Sequence, residues 1–523
     1  MFYSILFRDQ EQYERYEQTK STVEPECFKD LNLDQVFAPI FKKKKEFELE
    51  GFFYTPLAEI EAITYRQEVM RELENDELRG LFTNFSTTVY SLDLYMVNIR
   101  AALASKESYE NNYLTRGRML DYAERYCNAV NALLEGLKGK TLRSEGLSSF
   151  AEYLLAYSRS KEFQELSAQV ARLRKELSTV EYSMLINSGT IRVRKYEGEA
   201  DHSKQLIACF EKFRQGKVKD YRQKVPEEPV ATHVEAAVLN MVARFFKDIF
   251  NHLNSFCQKH LHFLDPTLVR FAREIQFYPS WLYYIQPLRK AGLPFNYPRL
   301  CNTAEHIYAL EGFDIALATL KKEKTVCNDF TLRAPERIMV VTGPNQGGKS
   351  TFARAFGQMH WLASLGLCVP GREAALYLFD QIFTHFGREE DLSTLHGRLE
   401  DDLKRLHELL ERAASRSIII LNEIFSSATL SDALALGGCM MDAISELGAL
   451  VVVVTFLDEL AFHGPETVSM VSTVKEEDPT ERTYKFVRRP PDGLAYAIHI
   501  ARKHRLTYEQ LRERLVGIEV ISQ

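Results

Sequence analysis

One stretch constrains this chain more than any other: Gly343-Pro344-Asn345-Gln346-Gly347-Gly348-Lys349-Ser350-Thr351. An apolar, partly β-branched run, Ile338 to Val341, feeds directly into it, and good helix formers leave it from Phe352 onward. A G-x-x-x-x-G-K-S segment between a strand and a helix is a phosphate-binding loop. Its glycines let successive backbone amides point inward, Lys349 reaches the β/γ oxygens, and the Ser350 hydroxyl binds Mg²⁺. The helix that begins there adds its positive end. The same residues in an isolated turn would carry no function, so the flanking strand and helix are what make this a nucleotide site.

A strand–loop–helix of this kind needs a sheet to sit in. Further strand candidates are Gln381 to Phe386, Ser417 to Leu421 and Leu450 to Thr455. The last two are near-continuous apolar runs, as in a parallel sheet buried on both faces. Ser417-Ile418-Ile419-Ile420-Leu421 ends in Asn422-Glu423, the place where such sheets carry their second metal-and-water motif. Glu423 is the candidate general base or water-positioning residue. Asn422 stands where an Asp usually helps to hold Mg²⁺ and keeps an oxygen acceptor without the charge. Unit charges about 4 Å apart at an effective dielectric of about 20 are worth roughly 4 kcal/mol, so turnover is expected to suffer more than binding.

Upstream, the pattern from Leu31 to roughly Ile186 is helical. Leu166, Val170, Leu173, Leu177, Val180 and Met184 recur at spacings of four and three, and Val238, Val242, Phe245, Ile249, Leu253 and Phe256 form a second helical stripe. Periodicity alone fits two core helices of a bundle as well as a pair of projecting levers. Between the stripes, Asn187-Ser188-Gly189-Thr190 reads as a turn, and Ile191 and Val193 alternating with Arg192 and Arg194 read as a short strand with one basic face. From Ile191 to Lys224 there are ten Lys or Arg against five Asp or Glu, in a chain of net charge -6. Such a run is either a solvated face or a phosphate-backbone contact through Arg192, Arg194, Lys195, Lys217 and Lys219.

The eight cysteines are scattered without a C-x-x-C pair, which suggests neither a zinc site nor a disulfide framework. No stretch approaches the ~18 apolar residues of a membrane span, and the apolar N-terminus is too short for a signal sequence, so a cytoplasmic protein is expected.

The phosphate loop, Gly343 to Thr351, looks like that of the MutS family of DNA mismatch-repair ATPases. Ser417 to Asp432 resembles that family's second motif, and Ser393-Thr394-Leu395 resembles its Ser-Thr-Phe, although the same residues also suit a helix N-cap. Pro56-Leu57 followed by Ile63 and Arg66 is similar to a segment of its helical core. Asp492-Gly493-Leu494-Ala495-Tyr496-Ala497, with Leu506-Thr507 to Leu515, resembles its C-terminal helix-turn-helix. The resemblance implies an α plus α/β fold: an N-terminal segment (1–30), a helical core and lever domain (31–180 and 231–300), a reduced basic clamp-like tip (181–230), a P-loop ATPase domain with a mostly parallel, ABC-like sheet (301–489) and a dimerisation element (490–523). It further implies ATP with Mg²⁺ held by Ser350 and Asn422, a homodimer in which Ser393 reaches the partner's nucleotide, duplex or branched DNA as ligand, and a repair or recombination protein as a further partner.

Three departures shape the functional expectation. No segment corresponds to the N-terminal domain with its Phe-x-Glu wedge, so mismatches are not expected to be read in the usual way. Thr455-Phe456 stands for the usual Thr-His, and Asn422 for the usual Asp. The expectation is an ATP-dependent DNA-binding protein whose closure on DNA is coupled to hydrolysis. The alternative is an ATP-binding switch that hydrolyses little and engages a protein partner. A transporter ATPase is a distant third, since it has no use for helical arms.

Overall fold

The computed structural model describes residues 2–104, 113–187, 189–199, 233–321, 325–387, 397–475, 481–491 and 504–516. The chain divides into two compact units: Met1–Asp76, Leu142–Leu147 and Gln276–Gln523 form one, and Glu77–Thr141 and Ser148–Ile275 the other. Residues 31–76 and 276–300, grouped by the sequence reading with the helical core, fall in the unit that holds the phosphate loop.

The second unit is built on long helices: α1 (Asp76–Ala104), α2 (Tyr113–Leu137) and α3 (Lys161–Leu177). Ser160 caps α3, its Oγ accepting from the Phe163 amide, and Phe163, Leu166, Val170 and Leu173 form its buried stripe. The helix stops at Leu177, so Val180 and Met184 do not continue that stripe as expected. Met184 instead lies in strand β1 (Tyr182–Asn187), opposite Val193 of β2 (Thr190–Lys195). A spacing of four satisfies the helical period and the strand period of two equally, which is why the pattern ran on past the helix end.

The second stripe is likewise interrupted. It spans α4 (His233–Phe245) and α5 (Lys247–Lys259), separated by Phe246 at φ -122°, ψ 47°. The break resets the phase: Phe250, Leu253, Phe256 and Cys257 are buried in α5, whereas Phe245 is exposed.

In the first unit, six strands form the central sheet: β3 (Ile338–Thr342), β4 (Ile382–Phe386), β5 (Ile418–Asn422), β6 (Leu450–Val454), β7 (Thr467–Val474) and β8 (Arg482–Arg488). Their spatial order is β4-β5-β6-β3-β7-β8, parallel except for the antiparallel pairing of β8 on β7. Every residue of β3 and β6 is buried, as the unbroken apolar runs predict for strands covered on both faces. Three helices follow strands of this sheet: α6 (Lys349–Ser364), α7 (Arg398–Arg412) and α8 (Leu430–Leu447).

The far end of α6 is held by the Pro56–Arg66 segment. Leu57 N donates to Ser364 O (3.0 Å), and Arg66, fully buried, donates from Nη1 to Leu365 O (3.3 Å) and from Nε to Leu6 O (3.0 Å). A guanidinium at a helix C-terminus satisfies carbonyls that lack an intrahelical partner and meets the negative end of the dipole. Gly366, at φ +79°, lies so close that an added Cβ would fall 2.5 Å from Arg66 Cβ. Of the C-terminal helix-turn-helix expectation, Tyr508–Val516 is a helix, and Asp492 to Ala497 lie outside the described residues.

Candidate functional site

Strands β3, β5 and β6 end on the same edge of the sheet, the carboxyl edge where open parallel sheets bind ligands. From β3 the chain turns through Gly343 (φ +120°) and Gln346 (φ +59°) to Gly348 (φ +89°), which precedes the first residue of α6. Gln346 is a non-glycine residue in the left-handed region, a conformation that persists where surrounding structure imposes it.

Lys349 is 4% exposed although it lines the site. Its Nζ donates to Gly343 O (2.9 Å) and to Asn345 Oδ1 (3.4 Å), and lies 3.9 Å from Glu423 Oε1. Burial pulls the Lys349 pKa below the usual ammonium value, and the Glu423 carboxylate opposes that shift. The ammonium is thus folded over its own loop, held by three oxygens that a phosphate group can replace.

Glu423 follows β5 at φ +55°, its amide donating to Val454 O of the neighbouring strand (2.8 Å). That bond anchors a strained backbone at the strand end and turns the side chain toward Lys349. Asn422, one residue earlier, has its Oδ1 buried without a hydrogen-bond partner, as does the Thr342 hydroxyl at the end of β3. Buried oxygens left without donors are costly, and such groups cluster where an ion, water or ligand completes them. The oxygen set of Ser350, Asn422 and Glu423 suits Mg²⁺, a hard cation bound through one or two protein oxygens plus phosphate and water. Among the described residues, no group of three or more His, Cys, Asp or Glu forms a metal cage.

A cavity of about 340 Å³ opens over the loop. Its wall combines residues 346–351 and Glu423 with the charged and polar Asp314, Lys321 and Asn328 and the apolar or aromatic Phe313, Leu317, Val326, Tyr484 and Phe486. A wall that mixes loop amides, charged groups and aromatic rings suits a ligand with both phosphates and a flat ring. Tyr484 (φ +58°) is fixed by Asn328, whose Nδ2 donates to Tyr484 O (3.0 Å) and whose Oδ1 accepts from Phe486 N (2.9 Å). The sequence reading missed this wall. Its residues come from distant segments, and no local spacing ties them to the loop.

The loop, Asn422 and Glu423 are thus gathered at one sheet edge. Phe456, two residues beyond β6, is 48% exposed and is not part of the cavity wall. Ser393 lies outside the described residues, as do Lys217 and Lys219. Arg192 and Arg194 are exposed on the same face of β2, whereas Lys195 alternates to the other face, its Nζ 5.5 Å from the centre of the Phe246 ring. These three belong to the second unit. Among the described residues, no helix is long and apolar enough to cross a membrane.

Residues 339–511 match the family model described as MutS domain V. A DNA mismatch repair protein MutS from Brevibacillus brevis is 30% identical over 234 residues, 43% of this chain and 27% of that protein. The protein of the same name from Thermotoga petrophila is 24% identical over 490 residues, 87% of this chain and 59% of its own length. An endonuclease MutS2 from Thermus thermophilus is 32% identical over 189 residues, 36% of this chain and 25% of that protein. The chain therefore spans between about a quarter and three fifths of these relatives. Together with the nonamer phosphate loop and the Asn422–Glu423 strand end, these matches support membership of the MutS family.

Proposed function

We propose that this protein is a cytoplasmic, ATP-dependent DNA-binding ATPase that works as a homodimer. The observation that carries the reading is the convergence of Lys349 and Glu423, 3.9 Å apart, in a cavity lined by the phosphate loop and by aromatic side chains. ATP lies with its base against the aromatic wall and its phosphates on the loop amides. Lys349 exchanges its present oxygens for phosphoryl oxygens, and Glu423, released from Lys349, orients the attacking water. Mg²⁺, when bound, neutralises phosphate charge, with Ser350 and Asn422 as its protein oxygens. Ser393 reaches the nucleotide of the partner subunit, and nucleotide occupancy shifts the protein toward a closed state on DNA. DNA contact runs through the basic residues around Arg192 and Arg194. The relatives named as DNA mismatch repair proteins favour DNA over other anions as the ligand.

The test is a salt-titrated binding series on homoduplex, mismatched and branched DNA, with and without ATP, for wild type and Lys349→Ala. Nucleotide-dependent affinity that Lys349→Ala abolishes is the expected result. Affinity indifferent to nucleotide at low salt would remove the DNA role.

A second reading, a switch that binds ATP and barely hydrolyses it while engaging a protein partner, is favoured by two features. Asn422 brings no charge to the metal position, and Phe456 brings no proton-transferring group. Single-turnover hydrolysis separates the two: turnover abolished by both Lys349→Ala and Glu423→Gln supports the ATPase, and tight binding without turnover supports the switch.

A further inference from the structure

The phosphate loop rests on β7 through one side chain. Ser472 is fully buried, and its Oγ donates to Gly347 O at 2.8 Å. An added Cβ at Gly347 would lie 2.6 Å from that Oγ, and one at Gly343 would lie 2.9 Å from Ser472 Cβ. Glycine at both positions therefore answers the closeness of Ser472 as well as the needs of a phosphate ligand. In a trans peptide the C=O and N–H point in opposite directions. Holding the Gly347 carbonyl on Ser472 thus turns the Gly348 amide away from β7, and Gly348 lines the cavity. On the neighbouring strand β8, Arg482 Nε donates to Asn345 O at 3.3 Å and fixes the 345–346 peptide in the same manner. Gln346, whose amide belongs to that peptide, also lines the cavity. Neither Ser472 nor Arg482 is part of the cavity wall; the uncharged Ser472 acts on a ligand through the loop backbone, and the Arg482 charge also reaches Lys349 through space.

We propose that Ser472 and Arg482 are positioning residues that aim the Gly348 and Gln346 amides at the phosphates of the bound nucleotide. This rests on the reading of the loop as a nucleotide site. A concave set of backbone amides binds anions only while its peptide planes stay oriented. A hydrogen bond to an ionised phosphate is about twice as strong as one between neutral groups, so a misaimed amide costs more the more phosphates are bound. The loss should scale with the phosphates present, because the two bonds orient loop amides and touch no other part of the cavity wall.

The experiment measures ATP, ADP and AMP affinity by calorimetry on the full chain, as wild type, Ser472→Ala, Arg482→Gln, Arg482→Lys and Lys349→Ala. Ser472→Ala is expected to weaken ATP and ADP about tenfold, equivalent to about 1.4 kcal/mol, and AMP less than about twofold, with a melting temperature in the absence of nucleotide lowered only by the loss of one buried hydrogen bond. Arg482→Gln, at a more exposed position, is expected to show the same pattern at about threefold, as is Arg482→Lys, which keeps the charge near Lys349 but lacks the Nε–H donor, and this pair carries the test if Ser472→Ala does not fold. If Lys349→Ala leaves ATP affinity intact, the nucleotide reading itself falls. If Lys349→Ala weakens ATP while the positioning variants bind all three nucleotides as wild type does, or lose AMP equally, the proposal is overturned.

Discussion

Replacing Glu423 by Gln should move binding and turnover in opposite directions. In the structure the Glu423 carboxylate lies 3.9 Å from the Lys349 ammonium, and a bound triphosphate must draw Lys349 away from it. For unit charges at that separation the Coulomb energy is about 1 kcal/mol at the dielectric of water and about 4 kcal/mol at an effective dielectric of about 20. The Glu423 side chain is 45% exposed, so solvent screening places the pair near the lower figure. Removing the charge also removes its repulsion of the phosphates. ATP should therefore bind Glu423→Gln about fivefold more tightly, from about 1 kcal/mol. Loss of the water-orienting carboxylate should lower single-turnover hydrolysis by about 10²-fold or more. A fluorescent-ATP titration and a quenched single-turnover assay on the same preparation read both quantities. Weaker ATP binding would show that Glu423 does not compete for Lys349, and undiminished turnover would show that it is not the catalytic carboxylate.

The remaining expectations concern charge at three other places. Asn422→Asp supplies the carboxylate missing beside the metal position, so turnover at saturating ATP should rise at least about tenfold and the Mg²⁺ requirement should fall; an unchanged Mg²⁺ titration would refute this. The double change Arg192→Gln, Arg194→Gln should weaken DNA binding and reduce the slope of log K against log[salt] by about 1.8, at about 0.9 per phosphate contact; an unaltered slope would place the contacts elsewhere. His360, buried within α6, has its pKa lowered from 6.5 to about 4 because burial disfavours the charged ring. A depressed folded-state pKa means that the unfolded chain takes up the proton first. The contribution is complete above about pH 6.5 and is lost as pH falls toward 4, with a limiting size of about 3 kcal/mol from 1.36 kcal/mol per unit. Urea midpoints between pH 7 and 4 should fall less steeply for His360→Leu than for wild type, and parallel curves would contradict the assignment.

The sheet was legible because β5 and β6 announce themselves as continuous apolar, β-branched runs, and the loop because its glycines and Lys349 sit at fixed offsets between a strand and a helix. Helix ends were less legible. Val180 and Met184 kept a spacing that strand and helix share, and no Gly or Pro marks the interruption at Phe246, whose backbone alone leaves the helix. The cavity wall had no local signature at all. Asn328 and Tyr484 are joined across 156 residues and Ser472 reaches Gly347 across 125, and only the two glycines that make room for Ser472 hinted at a close neighbour.

The clasp on the far end of α6 bears on where this protein can be cut. The segment matched as MutS domain V begins at residue 339, yet the helix that carries Lys349 ends against Leu57 and Arg66, and Leu31 O accepts from the Gln358 amide on the same helix (2.8 Å). A fragment trimmed to the matched segment would leave those carbonyl and amide groups facing water and strip cover from the sheet's helical face. The nucleotide module is therefore discontinuous in sequence: a fragment in which the phosphate loop keeps the support seen here needs Leu31, Leu57 and Arg66 as well as the matched segment.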